Sequence, residues 1–190
     1  MDHAFDVAPE RPAGFLGPLD EHLSANIRGY DYRQKKEDGE WNAASVIGGS
    51  LGYHTGLWRD RLGFGATLFT SQKIWGPDSK AGSSLLKPTQ ESFTVLGEAY
   101  AELRFDGFEI MAYRQQMNLP YINTDDSRQV PITHESYLIR RRGTDRNFVL
   151  GHVSKIKTRD DDSFVSMSEA AGVQSKDKGV SVAGFQLKLP

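Results

Sequence analysis

Ser92-Phe93-Thr94-Val95-Leu96-Gly97-Glu98-Ala99-Tyr100-Ala101-Glu102-Leu103-Arg104-Phe105 is the stretch that decides the fold. Val95, Gly97, Ala99, Ala101, Leu103 and Phe105 alternate with Thr94, Glu98, Tyr100, Glu102 and Arg104. A period of two is the mark of a β-strand whose faces meet unlike surroundings. Residues 92–105 outrun the common soluble strand of about 5–6 residues and suit a tilted membrane strand of about 9–11. The charged face could line a water-filled lumen, where Glu98, Glu102 and Arg104 escape the cost of a dry core. It could equally be the solvated face of a soluble sheet, and periodicity does not separate the two.

Outward from this stretch, eight segments read as strands: 23–33, 43–58, 61–71, 92–105, 107–116, 135–142, 147–157 and 180–189. In the second, Ile47, Gly49, Leu51 and Tyr53 share a face, and in the third Leu62, Phe64, Ala66 and Leu68 do. The connections alternate. Residues 34–42, 72–91, 117–134 and 158–179 are long, whereas 59–60, 106–107 and 143–146 are tight. An up-and-down meander with every long loop at one end is the arrangement of outer-membrane barrels.

Composition permits this. No apolar run approaches the roughly 18–20 residues of a membrane helix, and mean hydropathy is −0.52. Barrel strands keep such an average polar because lipid-facing and lumen-facing residues alternate. With no cysteine, disulfides and thiolate chemistry are excluded. A net charge of −2 gives no basic footprint for nucleic acid. Residues 1–22 lack a basic stretch followed by an apolar one, so they form an N-terminal segment with no recognisable signal peptide.

Motifs of catalysis fare poorly. Gly48-Gly49-Ser50-Leu51-Gly52 matches G-x-S-x-G, but a nucleophile elbow needs strand, sharp turn and helix, and Tyr53-His54-Thr55-Gly56 continues an extended pattern. Gly63-Phe64-Gly65 lacks the remainder of a dinucleotide fingerprint. His3, His22, His54, His134 and His152 show no metal-ligand spacing and read as surface or lumen residues. Asp160-Asp161-Asp162 has the wrong spacing for an EF-hand and reads as a solvated charge run. Arg140-Arg141-Arg142 flanks a tight turn and is expected at the membrane edge, against head groups. No enzyme activity, cofactor or metal is expected.

The third long connection is different. In 113–137, Pro120 and Pro131 stop regular structure, and Asn123, Asp125, Asp126 and Ser127 favour side-chain-stabilised turns. Leu119, Tyr121, Ile122, Val130 and Ile132 are spaced through it, so the loop can pack on something. This region resembles the constriction loop of the OprD-type substrate-specific porins. Arg114-Gln115, Pro120-Tyr121-Ile122-Asn123, Asp126-Ser127-Arg128, Pro131 and Glu135-Ser136-Tyr137 carry the resemblance in order. The stretches 155–159 and 166–173 are also similar to that family, as is 23–33 with Arg28, Tyr30 and Arg33.

The resemblance implies an all-β, antiparallel up-and-down transmembrane β-barrel of about eighteen strands. This chain would supply eight of them in 23–190, with 117–134 as the constriction loop. It implies a porin in the outer membrane of a Gram-negative bacterium that takes up small hydrophilic solutes, carboxylates above all, through a ladder of basic residues. Its partners would be such solutes, outer-membrane lipid and possible further copies, as monomer or trimer; nucleic acid is not among them. Arg28, Arg104, Arg114 and Arg128 are the candidates along the solute path, with Tyr121, Asn123 and Asp126 shaping the constriction. Strict alternation sends Arg114 to the same face as Phe108, Ile110 and Ala112, so a β-bulge is needed to bring it inward. The start at 1–22 and the end at Gln186-Leu187-Lys188-Leu189-Pro190 lead us to expect a truncated form. The alternatives are a complete eight-stranded barrel serving as anchor or adhesin, and a soluble ligand-binding β-barrel.

Overall fold

The computed structural model describes residues 22–37, 39, 41–78, 82–119, 121–141, 146–173 and 177–187. The expectations for 1–21, for Pro120 and Arg142, for the turn at 143–145 and for 188–190 lie outside these residues. Long strands dominate: β1 His22–Lys35, β2 Trp41–His54, β3 Leu62–Trp75, β4 Phe93–Phe105, β5 Phe108–Gln115, β8 Thr133–Arg141, β9 Arg146–Lys157 and β11 Val180–Leu187. The small pieces are β6 Asn118–Leu119, β7 Ile122–Asn123, β10 Val165–Ser166 and α1 Met167–Ala170.

Each long strand pairs antiparallel with its neighbour in the order β1-β2-β3-β4-β5-β8-β9, and β11 follows on β9. These are the eight strands read from the sequence, with shifted ends. β2 stops at His54 rather than 58, β3 runs on to Trp75, and β8 starts at Thr133, so the third loop covers 116–132. No helix among the described residues is long and apolar enough to cross a membrane. Among the described residues the sheet is open, since β1 pairs only with β2 and β11 only with β9. That geometry is not the closed eight-stranded barrel.

The outer face is apolar. Leu23, Ile27, Ile47, Leu51, Phe64 and Leu68 stand exposed on it, in the alternation read for β2 and β3. A soluble surface rarely leaves so extended an apolar patch uncovered. On the inner face three loops fold back onto the sheet. Leu85 and Leu86 of the second loop pack on Ala44 and Val46 of β2. Val130 of the third loop packs on Phe69, Phe93 and Val95, with Phe164 of the fourth loop beside it. Met117, Leu119 and Ile122 pack on Leu138, Val149 and Val153.

β4 departs from the plain alternation. Thr67 pairs with Glu98 but Leu68 with Leu96, which leaves Gly97 as the extra residue of a β-bulge. Val95 therefore turns inward, 6% exposed under the loops, while Leu96 joins the outer face at 39%. Gly97 is required there, because a Cβ would lie 2.6 Å from the Phe69 ring. Below the bulge Ala99, Ala101, Leu103 and Phe105 keep the opposite side from Glu98, Tyr100, Glu102 and Arg104.

Candidate constriction site

The third loop leaves β5 by bonding to the bulged strand. The Gln116 backbone N–H donates to Glu98 Oε1 (3.3 Å), whose other oxygen accepts from Thr67 Oγ1 (2.7 Å). The β6–β7 hairpin follows, with Asn118 opposite Asn123 and Leu119 opposite Ile122. Leu119 and Ile122 face the sheet, whereas Tyr121 at the turn is 97% exposed and Asn123 is exposed. Thr124 then closes the loop on itself, its hydroxyl donating to the Ile132 carbonyl (2.6 Å) and its carbonyl accepting from Ile132 N–H (2.7 Å).

The tip, 125–130, is tied on four sides. Arg28 of β1 holds Asp126 through a two-pronged pair, Nη1 to Oδ1 at 2.7 Å and Nη2 to Oδ2 at 2.9 Å. Two parallel N–H···O bonds are the strong geometry for guanidinium and carboxylate. Arg159 of the fourth loop bonds Asp125 and donates to Ser127 Oγ (3.0 Å). The Ser127 hydrogen bonds, seconded by the Arg159 charge, hold the Asp125 carboxyl below its ordinary range. Arg128 donates Nε–H to the Ser83 carbonyl of the second loop (3.2 Å) and lies over the Tyr32 ring.

The fourth tie explains the glycine run. Gly48 and Gly49 lie inside β2, with no turn into a helix, so the nucleophile-elbow reading fails on geometry. In the amide orientation that satisfies both ends, the Gln129 side-chain oxygen accepts from Gly48 N–H (3.2 Å) and Gly49 N–H (2.9 Å). A Cβ on Gly48 would fall 2.8 Å from Gln129 and 2.0 Å from the Thr70 carbonyl, so the small residues let both the neighbouring strand and the loop approach.

Of the seven expected site residues, the structure gathers Arg28, Arg128 and Asp126, with Asn123 and Tyr121 on the neighbouring hairpin. Arg104 is apart. It pairs with buried Glu102 and lines a cavity of about 650 Å³ at the tight-turn end, with Arg59, Arg61 and Glu109. Arg114 donates Nε–H to Glu135 (3.0 Å) and lies 4.1 Å from the centroid of Phe164, which belongs to the inner cluster. Tyr113, with φ 84°, interrupts the extended backbone just before it and breaks the alternation that had sent Arg114 outward.

Two expectations are corrected here. Arg140 does not sit against head groups: it pairs with Glu109 on the opposite side from Phe108 and Ile110, with both partners largely buried. His134 is neither on the surface nor open to the lumen, but 1% exposed beneath the loops. Sequence reasoning also missed Gln129, Lys157 and Arg159 as parts of the site. Lys157, fully buried, donates to the carbonyls of Pro131 (2.9 Å) and Thr158 (2.7 Å) and so fixes the loop's return to the sheet. The signal for two of them was the stretch 155–159; for Gln129 nothing in the sequence marked a contact with glycines some eighty residues away.

This fold is shared with solved structures. OccAB1 of Acinetobacter baumannii superposes with a TM-score of 0.72 at 19% identity, over 93% of this chain and 43% of its own. OpdK of Pseudomonas aeruginosa, in a structure with vanillate, gives 0.73 at 17%, over 93% and 47%. A BenF-like porin from Pseudomonas fluorescens Pf-5 gives 0.72 at 21%, again over 93% and 47%. The fold is that of a porin wall. The chain spans less than half the length of these porins. No protein-family model matches it, and neither does any curated protein sequence.

Proposed function

We propose that this chain forms part of the wall, and the constriction, of an outer-membrane channel for small hydrophilic solutes, with carboxylates favoured. The observation that carries the reading is the third loop folded onto the inner face, its Asp126 seated in the guanidinium fork of Arg28. An apolar outer face supports contact with lipid. The porin fold and the vanillate in the OpdK structure, vanillate being an aromatic carboxylate, support the channel and the solute class.

The chemistry is binding without reaction. A carboxylate entering a constriction loses hydration, which a fixed guanidinium replaces in part, and the contact must stay weak enough for release. Arginine fits because its fork matches both carboxylate oxygens and stays charged at any pH the cell meets. Arg28 has the exposure for this role, about a third of its side chain being open. Arg128 is turned to the second loop and Tyr32, and in this reading positions the loop.

The test is reconstitution of the full gene product in planar bilayers and liposomes. Channel currents are expected, and Arg28→Gln should slow benzoate entry about fivefold, the scale of one partly exposed charge pair, relative to benzamide. Retention of the protein in the aqueous phase without detergent, and no currents, would favour a soluble barrel. Equal effects on benzoate and benzamide would remove charge from the mechanism.

A further inference from the structure

The Arg28–Asp126 pair has a property beyond holding a loop. Its two carboxylate oxygens occupy the positions that a solute carboxylate would take on the same fork. Both side chains remain partly open, at 32% and 41%. The loop does not depend on this pair to stay in place. Asp125 and Ser127 are held by Arg159, Gln129 by the backbone of β2, Arg128 by Ser83, and Val130 is buried against Phe69 and Val95. Arg28 is also aligned from its own strand, where Nε–H donates to Asn26 Oδ1 (3.0 Å), so the fork keeps its direction when the carboxylate leaves.

We propose that Asp126 is a built-in competitor, a stand-in carboxylate that occupies Arg28 until a solute carboxylate displaces it and that reseats to expel the solute. This rests on the channel reading and adds a specificity-determining residue to it. Exchange swaps one carboxylate for another on an unchanged cation, so the net cost of binding is small in both directions. A bare Arg28 would instead hold an anion and slow its passage. Asp126 thus trades affinity for release, as conduction through a binding constriction demands.

The probe is benzoate, and the measurement is its dwell time as a blocker of single-channel potassium chloride current through the full gene product. Asp126→Asn should lengthen the dwell about fivefold, the occupancy ratio an exposed pair of this kind maintains. Asp126→Glu should restore the short dwell. Arg28→Gln should shorten it below wild type, and the double variant R28Q/D126N should match Arg28→Gln, because Asp126 acts only through Arg28. A dwell unchanged in Asp126→Asn, with Arg28→Gln still shortening it, overturns the competitor and leaves the channel reading standing. Lengthening in R28Q/D126N relative to Arg28→Gln also overturns it, since Asp126 would then act through loop shape. Absence of currents from the wild type overturns both readings.

Discussion

The two limbs of the third loop are anchored by opposite physics. The outgoing limb, 116–124, is held by apolar packing: Met117, Leu119 and Ile122 are buried against Leu138, Val149 and Val153. The returning limb, 125–132, is held mainly by polar ties to five elements, β1, β2, β9, the second loop and the fourth loop, with Val130 buried against the sheet. The apolar limb fixes where the loop sits, through contacts that are broad and indifferent to salt. The polar limb presents charge to the open side, through contacts that are directional and partly exposed. In the channel proposed above, a constriction would draw on both, a rigid base and a replaceable surface.

Substitution in the apolar limb should cost the most stability. Met117→Ala should cost about 3 kcal/mol, because it leaves a cavity in a cluster where Met117 is only 1% exposed. The check is the urea midpoint of the detergent-folded protein, and a loss below about 1 kcal/mol would mean the limb is not packed as described. Next comes the hinge between the limbs and the sheet. Lys157→Met keeps volume but strands the carbonyls of Pro131 and Thr158 without a donor, which should cost about 2 kcal/mol. The same unfolding measurement reads this, together with faster proteolysis confined to 125–132.

The smallest effect belongs to the polar tip and appears as a pH dependence. The Asp125 carboxyl is held below its ordinary value of 3.8, first by Ser127 and then by Arg159, and Lys87 does the same for Asp162 in the fourth loop. A depressed folded pKa contributes stability above the ordinary carboxylate range, and that contribution is lost as pH falls through the folded value. Protection of the Ser127 amide against hydrogen exchange, corrected for intrinsic rate, should therefore be flat near neutrality and fall below about pH 4. Met117 should show no matching loss. A fall beginning near pH 6 would point to a histidine instead.

How much of this was legible beforehand follows from the range of each interaction. Alternation in 43–54 and 62–71 gave β2 and β3 with the correct faces, because strand periodicity is local and one face is apolar throughout. The same reasoning misassigned Val95, since a single inserted residue at Gly97 reverses every face beyond it and leaves no local mark. Alternation alone sends Arg114 outward, and the break that its place among the path candidates required is supplied by the positive φ at Tyr113, not by a bulge, at a residue type that gives no warning of it. Arg140 was expected at the membrane edge and His134 on the surface or in the lumen, because charge and polarity predict solvent, whereas the ion pair with Glu109 and the cover of the loops bury them.

The strands, the alternation of long and short connections, and the third loop as the one with something to pack against can all be read along the chain. Those properties reside in neighbours a few residues apart. Folding alone brings Asp126 to Arg28 across 98 residues, rests Gln129 on Gly48 and Gly49, and sends Arg104 to the other end of the wall. Such pairings depend on strand register and on where loops come to rest, and both are set by the whole sheet.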